Sequence, residues 1–207
     1  HGATINGKVA GSHGNTCCFS FYPGKNLGGI GEGGAVLGGD DAVMKKVKAY
    51  RAHGQTDKNY HEYIGLNGHL DAFNAEILSI KLKKLEQWNE NRRKAAKLYI
   101  AGLDKLGLAT PQEPEGCQSV YHLMPVLVGE KRDELRKVLQ ENKIDSGCHY
   151  PIPVPLQAAY AHLGYKKGDF PVAEKWAEGH LTLPMHPHVT AEDVERILSV
   201  ISKFLKG

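Results

Sequence analysis

Several things are scarce in this sequence, and each scarcity excludes a class. No apolar run reaches about 18 residues, so no membrane-spanning helix is expected. Charge of one sign is missing too. Lys and Arg total 26 against 23 Asp and Glu, a formal net charge of +3, which lacks the basic footprint of a nucleic-acid or membrane-surface protein. There are four cysteines, Cys17, Cys18, Cys117 and Cys148, and no C-x-x-C pair. That pattern argues against a disulfide framework or zinc site and leads us to expect reduced thiols in a cytoplasmic protein, with Cys17 and Cys18 buried in an apolar strand. No internal repeat, initiator Met or signal peptide is found; the opening H-G-A-T-I-N-G-K reads as mid-domain sequence. What is present is a 41% hydrophobic share over 207 residues, enough for one large domain or one and a half.

The pattern along the chain is α/β. Short apolar runs bounded by glycine at 17–21 and 35–37 predict buried strands, and Asp40-Asp41 opens a helix carrying Val43, Val47 and Tyr50. Residues 52–68 show no sustained period and read as a long loop. From Leu70 to about residue 100, Phe73, Ile77, Ile80, Trp88, Ala95 and Tyr99 recur at helical spacing. One helix of that length would be roughly 45 Å long and would bridge two lobes, with room for a bend. Pro111–Gly116 is a linker by composition. Beyond it we expect an apolar run at 120–128, a helix at 131–140, a short strand at 144–149, and helices at 172–178 and 190–205. Thr190 and Asp193 stand at capping-box spacing before the last of these.

One stretch carries chemistry. In F-S-F-Y-P-G-K-N-L-G-G-I-G-E-G-G, residues 19–34, Lys25 is the sole cation among six glycines. A P-loop would need Gly at 19 and Ser or Thr at 26, where Phe19 and Asn26 stand. Gly29, Gly31 and Gly34 fit G-x-G-x-x-G, but a strand pattern follows where the dinucleotide fingerprint needs a helix. A lysine among small residues also suits a Schiff base, since glycines let a flat ring approach the backbone and Ser20 can offer a hydroxyl to a phosphate. A solvated surface lysine on a turn is the plainer alternative. His53, His61 and His69 recur every eight residues, but with no cysteine among them surface or substrate contact is favoured over metal. His186 and His188 flank Pro187 in what reads as a packed turn, and Trp88 and Trp176 read as core or interface residues.

The stretch C-F-S-F-Y-P-G-K-N-L-G-G-I-G-E-G-G-A closely resembles the lysine motif of the DegT-like family of pyridoxal-phosphate (PLP)-dependent nucleotide-sugar aminotransferases. The resemblance continues through R-A-H-G-Q at 51–55, G-L-N-G-H-L-D at 65–71, H-Y-P-I-P at 149–153, G-D-F-P-V-A-E at 168–174 and L-P-M-H-P at 183–187. It implies a fold-type I PLP-transferase-like α/β architecture. Residues 1–110 would be the C-terminal part of the PLP-binding large domain with the long connecting helix, and 111–207 a small C-terminal α+β domain. Lys25 would form the internal aldimine and shuttle a proton between Cα and C4′. Ser20 would bind the cofactor phosphate, and Asn67 would reach the phosphate of a neighbouring subunit's cofactor in a homodimer with shared active sites. Gly31, Gly33 and Gly34 would shape the turn beside the cofactor. His149, Tyr150 and His69 would border the substrates, a nucleotide sugar and an amino-acid donor such as glutamate. Relatives with His in place of this lysine are dehydratases, so Lys25 favours transamination.

Three departures from the family pattern stand out. His69 replaces a common Arg, and Pro155 replaces a common His after H-Y-P-x-P. The family's N-terminal half, with the aspartate that pairs with the pyridine nitrogen, would precede the H-G-A at residue 1, so the chain is expected to be the C-terminal part of a longer enzyme. Two other readings remain open: a non-catalytic binding or regulatory module that keeps the fold, and a related enzyme acting on a cyclitol or other non-sugar ketone.

Overall fold

The computed structural model describes residues 1–207. Two compact units divide it, 1–89 with 114–120, and 90–113 with 121–207.

In the first unit, β1 (Thr4–Ile5) and β2 (Lys8–Val9) form a hairpin around Asn6-Gly7, both at positive φ. That dipeptide is the preferred one for a tight two-residue turn. The strands predicted around 17–21 and 35–37 are β3 (Thr16–Ser20) and β4 (Gly34–Gly38), paired antiparallel with Ser20 opposite Gly34. The glycine-rich segment between them is therefore a hairpin loop with hydrogen-bonded ends. These strands are not buried as expected. Cys18 is exposed and Cys17 half-buried, because only one face of this two-stranded ribbon has neighbours to pack on.

Helix α1 (Asp41–Arg51) starts where the Asp pair predicts. The Asp40 carboxylate accepts the Ala42 and Val43 N–H groups, Asp41 lies in the first turn, and Lys48 and Arg51 lie in the last. Inside the expected loop there is a small hairpin, β5 (Gln55–Asp57) with β6 (Tyr60–His61). The single helix expected over 70–100 is two, α2 (Ala72–Leu82) and α3 (Leu85–Lys105), separated at Lys83 and Lys84. No glycine or proline marks the break. Nor does α2 present the expected apolar face inward. Phe73 is 83% and Ile80 56% exposed, while Asn74 and Leu78 are buried. Strand β7 (Cys117–Gln118) completes the small sheet beside β1.

The second unit has a continuous core. Its two-stranded sheet pairs β8 (Met124–Leu127) antiparallel with β9 (His180–Leu183). Helices α4 (Arg132–Glu141), α5 (Pro171–Gly179) and α6 (Ala191–Lys206) lie where the periodicity predicts. Tyr99 and Leu103 of α3, Met124 and Val126 of β8, Leu135 and Leu139 of α4, and Val194 and Ile201 of α6 are almost fully buried in one cluster. Cutting such a leucine or isoleucine back to alanine costs about 2–5 kcal/mol. Gly102 lets α6 approach α3, since a Cβ there would lie 2.2 Å from a Leu198 methyl. The α6 N-terminus carries the full capping box, Thr190 with Asp193. The strand expected at 144–149 reduces to one bridge, Gly147 to Thr182. Strand β9, unforeseen in the sequence, is buried along its whole length.

Candidate active site

Lys25 sits in the β3–β4 hairpin loop, half-buried, with its N–H donating to Tyr22 O at 2.8 Å. The loop folds back on itself, Phe21 N–H to Gly33 O at 2.8 Å and Gly29 N–H to Phe21 O at 2.8 Å. Side chains from elsewhere in the first unit then clamp it. Buried Asn74 accepts the Ile30 N–H at 3.1 Å and donates to Glu32 O at 3.4 Å. One helical face on, Lys81 Nζ donates to Gly28 O at 2.7 Å. Asn26 Nδ2 donates to Asn89 Oδ1 at 3.0 Å and Val120 O at 3.1 Å. The His1 ring accepts the Leu27 N–H at 3.0 Å and lies against Phe19 and Phe21. Thus the four residues after Lys25 are buried and tied down.

Asn26, Asn74 and Lys81 were not singled out from sequence. The available signal was Asn74 and Lys81 seven residues apart, two turns of one helix, which puts two polar groups on the inward face.

The glycines acquire specific reasons. A Cβ at Gly28 would meet Pro23 O at 2.2 Å, and one at Gly29 would meet Asn74 Oδ1 at 2.2 Å. Gly33 and Gly34 are likewise closed, by Leu70 and by Phe19 O, whereas Gly31 faces open space. Internal packing therefore accounts for most of this glycine content; at Gly31 a Cβ would meet nothing within 4 Å.

The Lys25 ε-amine has no hydrogen-bond or ion-pair partner within the chain. Ser20 Oγ accepts the Tyr22 N–H at 3.3 Å, which leaves its own proton to donate. An amine without a partner on a half-buried residue, and a hydroxyl with an uncommitted proton five residues before it, fit a cofactor that carries an aldehyde and a phosphate. Ser20 ends β3, and Lys25 lies five residues on in the loop that follows.

Asn67 and His69 lie in another segment of the same unit. Backbone bonds fix it against the end of α1: Leu66 N–H to Tyr50 O at 2.7 Å, Gly68 N–H to Arg51 O at 2.8 Å and His53 N–H to Leu66 O at 2.9 Å. Gly65 packs onto the Gly54 backbone, 2.1 Å from where its Cβ would lie. The Asn67 and His69 side chains are exposed, and beside them Ile64 is 99% and Leu66 71% exposed. His61 Nδ1 lies 3.0 Å from His53 O, and no group of three or more His, Cys, Asp or Glu is arranged to hold a metal ion.

His149 and Tyr150 belong to the second unit, are joined by a cis peptide bond, and are exposed. His149 lines a cavity of about 680 Å³ with His122, Lys143, Asp145, His186 and Arg196. Behind that wall, Arg92 donates to the carbonyls of Tyr121 at 3.3 Å and Met185 at 3.1 Å, and burial lowers its pKa. Tyr99 OH donates to Pro184 O at 3.0 Å, and burial pushes its phenol up, with Asp193 adding a smaller contribution.

Known proteins share this sequence and architecture. The "Pleiotropic regulatory protein" of Geobacillus stearothermophilus is 40% identical over 99% of this chain and 56% of its own length. The UDP-N-acetyl-3-dehydro-alpha-D-glucosamine 3-aminotransferase of Acidithiobacillus ferrooxidans is 38% identical over 100% of this chain and 55% of its own length. The crystal structure of Streptomyces venezuelae DesV, in complex with a ketimine intermediate, superposes with a TM-score of 0.93 at 38% identity, over 100% of this chain and 56% of that one. The chain spans about half the length of the curated relatives it matches, and the fold is that of the C-terminal part of a fold-type I sugar aminotransferase. The sequence pattern of the DegT/DnrJ/EryC1/StrS aminotransferase family matches residues 1–202, and the chain belongs to that family.

Proposed function

We propose that this chain is the C-terminal part of a PLP-dependent aminotransferase that moves an amino group, from glutamate, to a keto sugar carried on a nucleotide. The observation that carries this reading is the unpartnered ε-amine of Lys25 on a loop clamped by Asn26, Asn74 and Lys81. The name of the Acidithiobacillus relative supports the substrate class. Bound PLP would supply an aldehyde to hold the amino group and a ring to accept electrons from the substrate's Cα. Lys25 would hold the cofactor and carry the proton to and from that carbon. Ser20 would donate its free hydroxyl proton to the phosphate.

In this reading, residues 1–110 belong to the PLP-binding large domain and 111–207 to the small domain. Asn67, presented outward beside Ile64 and Leu66, would reach the cofactor phosphate of a second subunit in a cytoplasmic homodimer. His69, His149 and Tyr150 would border the sugar and the donor.

The test is reduction with borohydride after addition of pyridoxal phosphate, followed by peptide mass mapping. The expected adduct is on Lys25 and vanishes in Lys25→Ala. A relative named as a regulatory protein supports a second reading, a non-catalytic module. Labelling spread over surface lysines, with none favoured at Lys25, would mean an incomplete site in this chain alone; the same result with the N-terminal half supplied would support that module and overturn the aminotransferase reading.

A further inference from the structure

His149 is on the surface, yet its neighbours leave it little freedom. Its Nδ1 lies 3.0 Å from Thr182 Oγ1. Its ring lies over Gly147, where a Cβ would come within 2.7 Å of His149 Cε1. Its backbone N–H donates to Nε2 of His180 at 2.8 Å. The adjoining bridge is doubly bonded, Gly147 N–H to Thr182 O at 3.0 Å and Thr182 N–H to Gly147 O at 2.8 Å.

His180 is the unexpected member of this set. It begins β9 and is 3% exposed. Its Nδ1 faces the Trp176 carbonyl, which can only accept, so Nδ1 carries the proton. Its Nε2 faces the His149 amide, which can only donate, so Nε2 is bare. The two partners therefore define a neutral ring of one tautomer. The Cys148 thiol makes a longer contact with the same Nε2, at 3.5 Å. A chain of bonds thus runs from Trp176 O through the His180 ring to the His149 backbone, while Thr182 holds the His149 ring. The polar atom this leaves over is His149 Nε2, on a residue of the cavity wall that also carries Lys143, His186 and Arg196.

We propose that His180 is a positioning residue. It holds His149 in one orientation, so that Nε2 is pre-organised to hydrogen-bond a hydroxyl or phosphoryl oxygen of the sugar nucleotide. The ligand half of this proposal rests on the substrate class given under Proposed function. The positioning half rests on the geometry alone.

The test is NMR on the 207-residue chain with 15N-labelled histidine, using UDP-N-acetylglucosamine as the probe. In the wild type, His180 shows protonated Nδ1 and bare Nε2, with a coupling across the hydrogen bond from the His149 amide, and the probe shifts His149 Nε2. His180→Phe keeps a ring but offers no acceptor. It removes the acceptor of the His149 N–H while Thr182 still bonds the ring, so it is expected to shift the His149 amide and ring signals and to weaken probe binding about tenfold, the size of one lost hydrogen bond. His180→Gln, whose amide oxygen can accept the same N–H, is expected to restore both. Methyl signals of Leu181 and Leu183 report whether the variants keep their fold. His149 signals unchanged in a folded His180→Phe would overturn the positioning role. Should that variant not fold, absence of the coupling in the wild type would overturn it equally. Coupling present with no His149 shift on adding the probe would leave the positioning role standing and overturn the sugar-nucleotide assignment.

Discussion

Asn74 Oδ1 accepts the backbone N–H of Ile30 at 3.1 Å, joining the first turn of α2 to the loop that carries Lys25. The same amide donates to Glu32 O, so one side chain of 1% exposure satisfies both a donor and an acceptor of a glycine-rich segment with little packing of its own. Asn74→Leu would keep the volume and leave both backbone groups unpaired. A cost of about 1–3 kcal/mol is expected. Chemical denaturation measures it, and the yield of the Lys25 adduct should fall in the same variant while Asn91→Ala, on a helix of the second unit, leaves that yield unchanged.

Gly29 and Gly31 should respond oppositely to alanine. At Gly29 the new methyl would stand 2.2 Å from Asn74 Oδ1, so the clamp must open or the loop must shift, at about 1–3 kcal/mol. At Gly31 nothing lies within 4 Å, and a change within about 0.5 kcal/mol is expected. Thermal denaturation of the two variants side by side decides this. If Gly31→Ala is stable but loses the Lys25 adduct, its open face is where the cofactor ring lies.

Tyr99 links stability to high pH. Burial raises its folded-state pKa above the ordinary phenol value of about 10. The native state then holds its proton while the unfolded chain loses it, so this contribution is complete below about pH 10 and declines as pH rises beyond that. Tyr99→Phe removes the titrating group together with the bond to Pro184 O. It should cost about 1 kcal/mol at neutral pH and lose stability less steeply between pH 10 and 11 than the wild type. Parallel slopes for both proteins would show that Tyr99 does not contribute to that decline.

The α6 capping box offers a test at the acid end. The Thr190 backbone and side chain lower the Asp193 pKa, so the contribution of this carboxylate is present above the ordinary aspartate value and is lost as pH falls through the depressed one. Thr190→Ala should destabilise the second unit by about 0.5–2 kcal/mol, read by denaturation at neutral pH. The deficit should shrink only in part in acid, where the wild type weakens the bonds to the Asp193 carboxylate but keeps the Asp193 N–H bond to Thr190 Oγ1.

Much of this protein was written locally. Asp40 and Thr190 announce α1 and α6 because a helix start needs an acceptor for its free N–H groups, and those residues supply one wherever they stand. The lysine motif was legible from composition: six glycines and one cation stand out in residues 19–34. The Asn6-Gly7 turn is equally local, set by two residues that accept positive φ.

Contacts distant in sequence decided the rest. Phe73 reads as core by spacing, but the inward face of α2 goes to Asn74, Leu78 and Lys81, because the Lys25 loop needs polar partners that apolar periodicity cannot reveal. His180 reads as an isolated histidine at a helix end. Only when β9 lies beside Gly147 do Trp176 O and the His149 amide meet its two nitrogens and fix where its proton sits. The sequence by itself determined the helix starts and the Asn6-Gly7 turn, since each depends on neighbours a few residues away, and it marked Lys25 by composition. The clamps on that lysine's loop and the pinning of His149 were decided by tertiary structure, because a hydrogen bond between residues 31 or 44 apart exists only after the chain has folded.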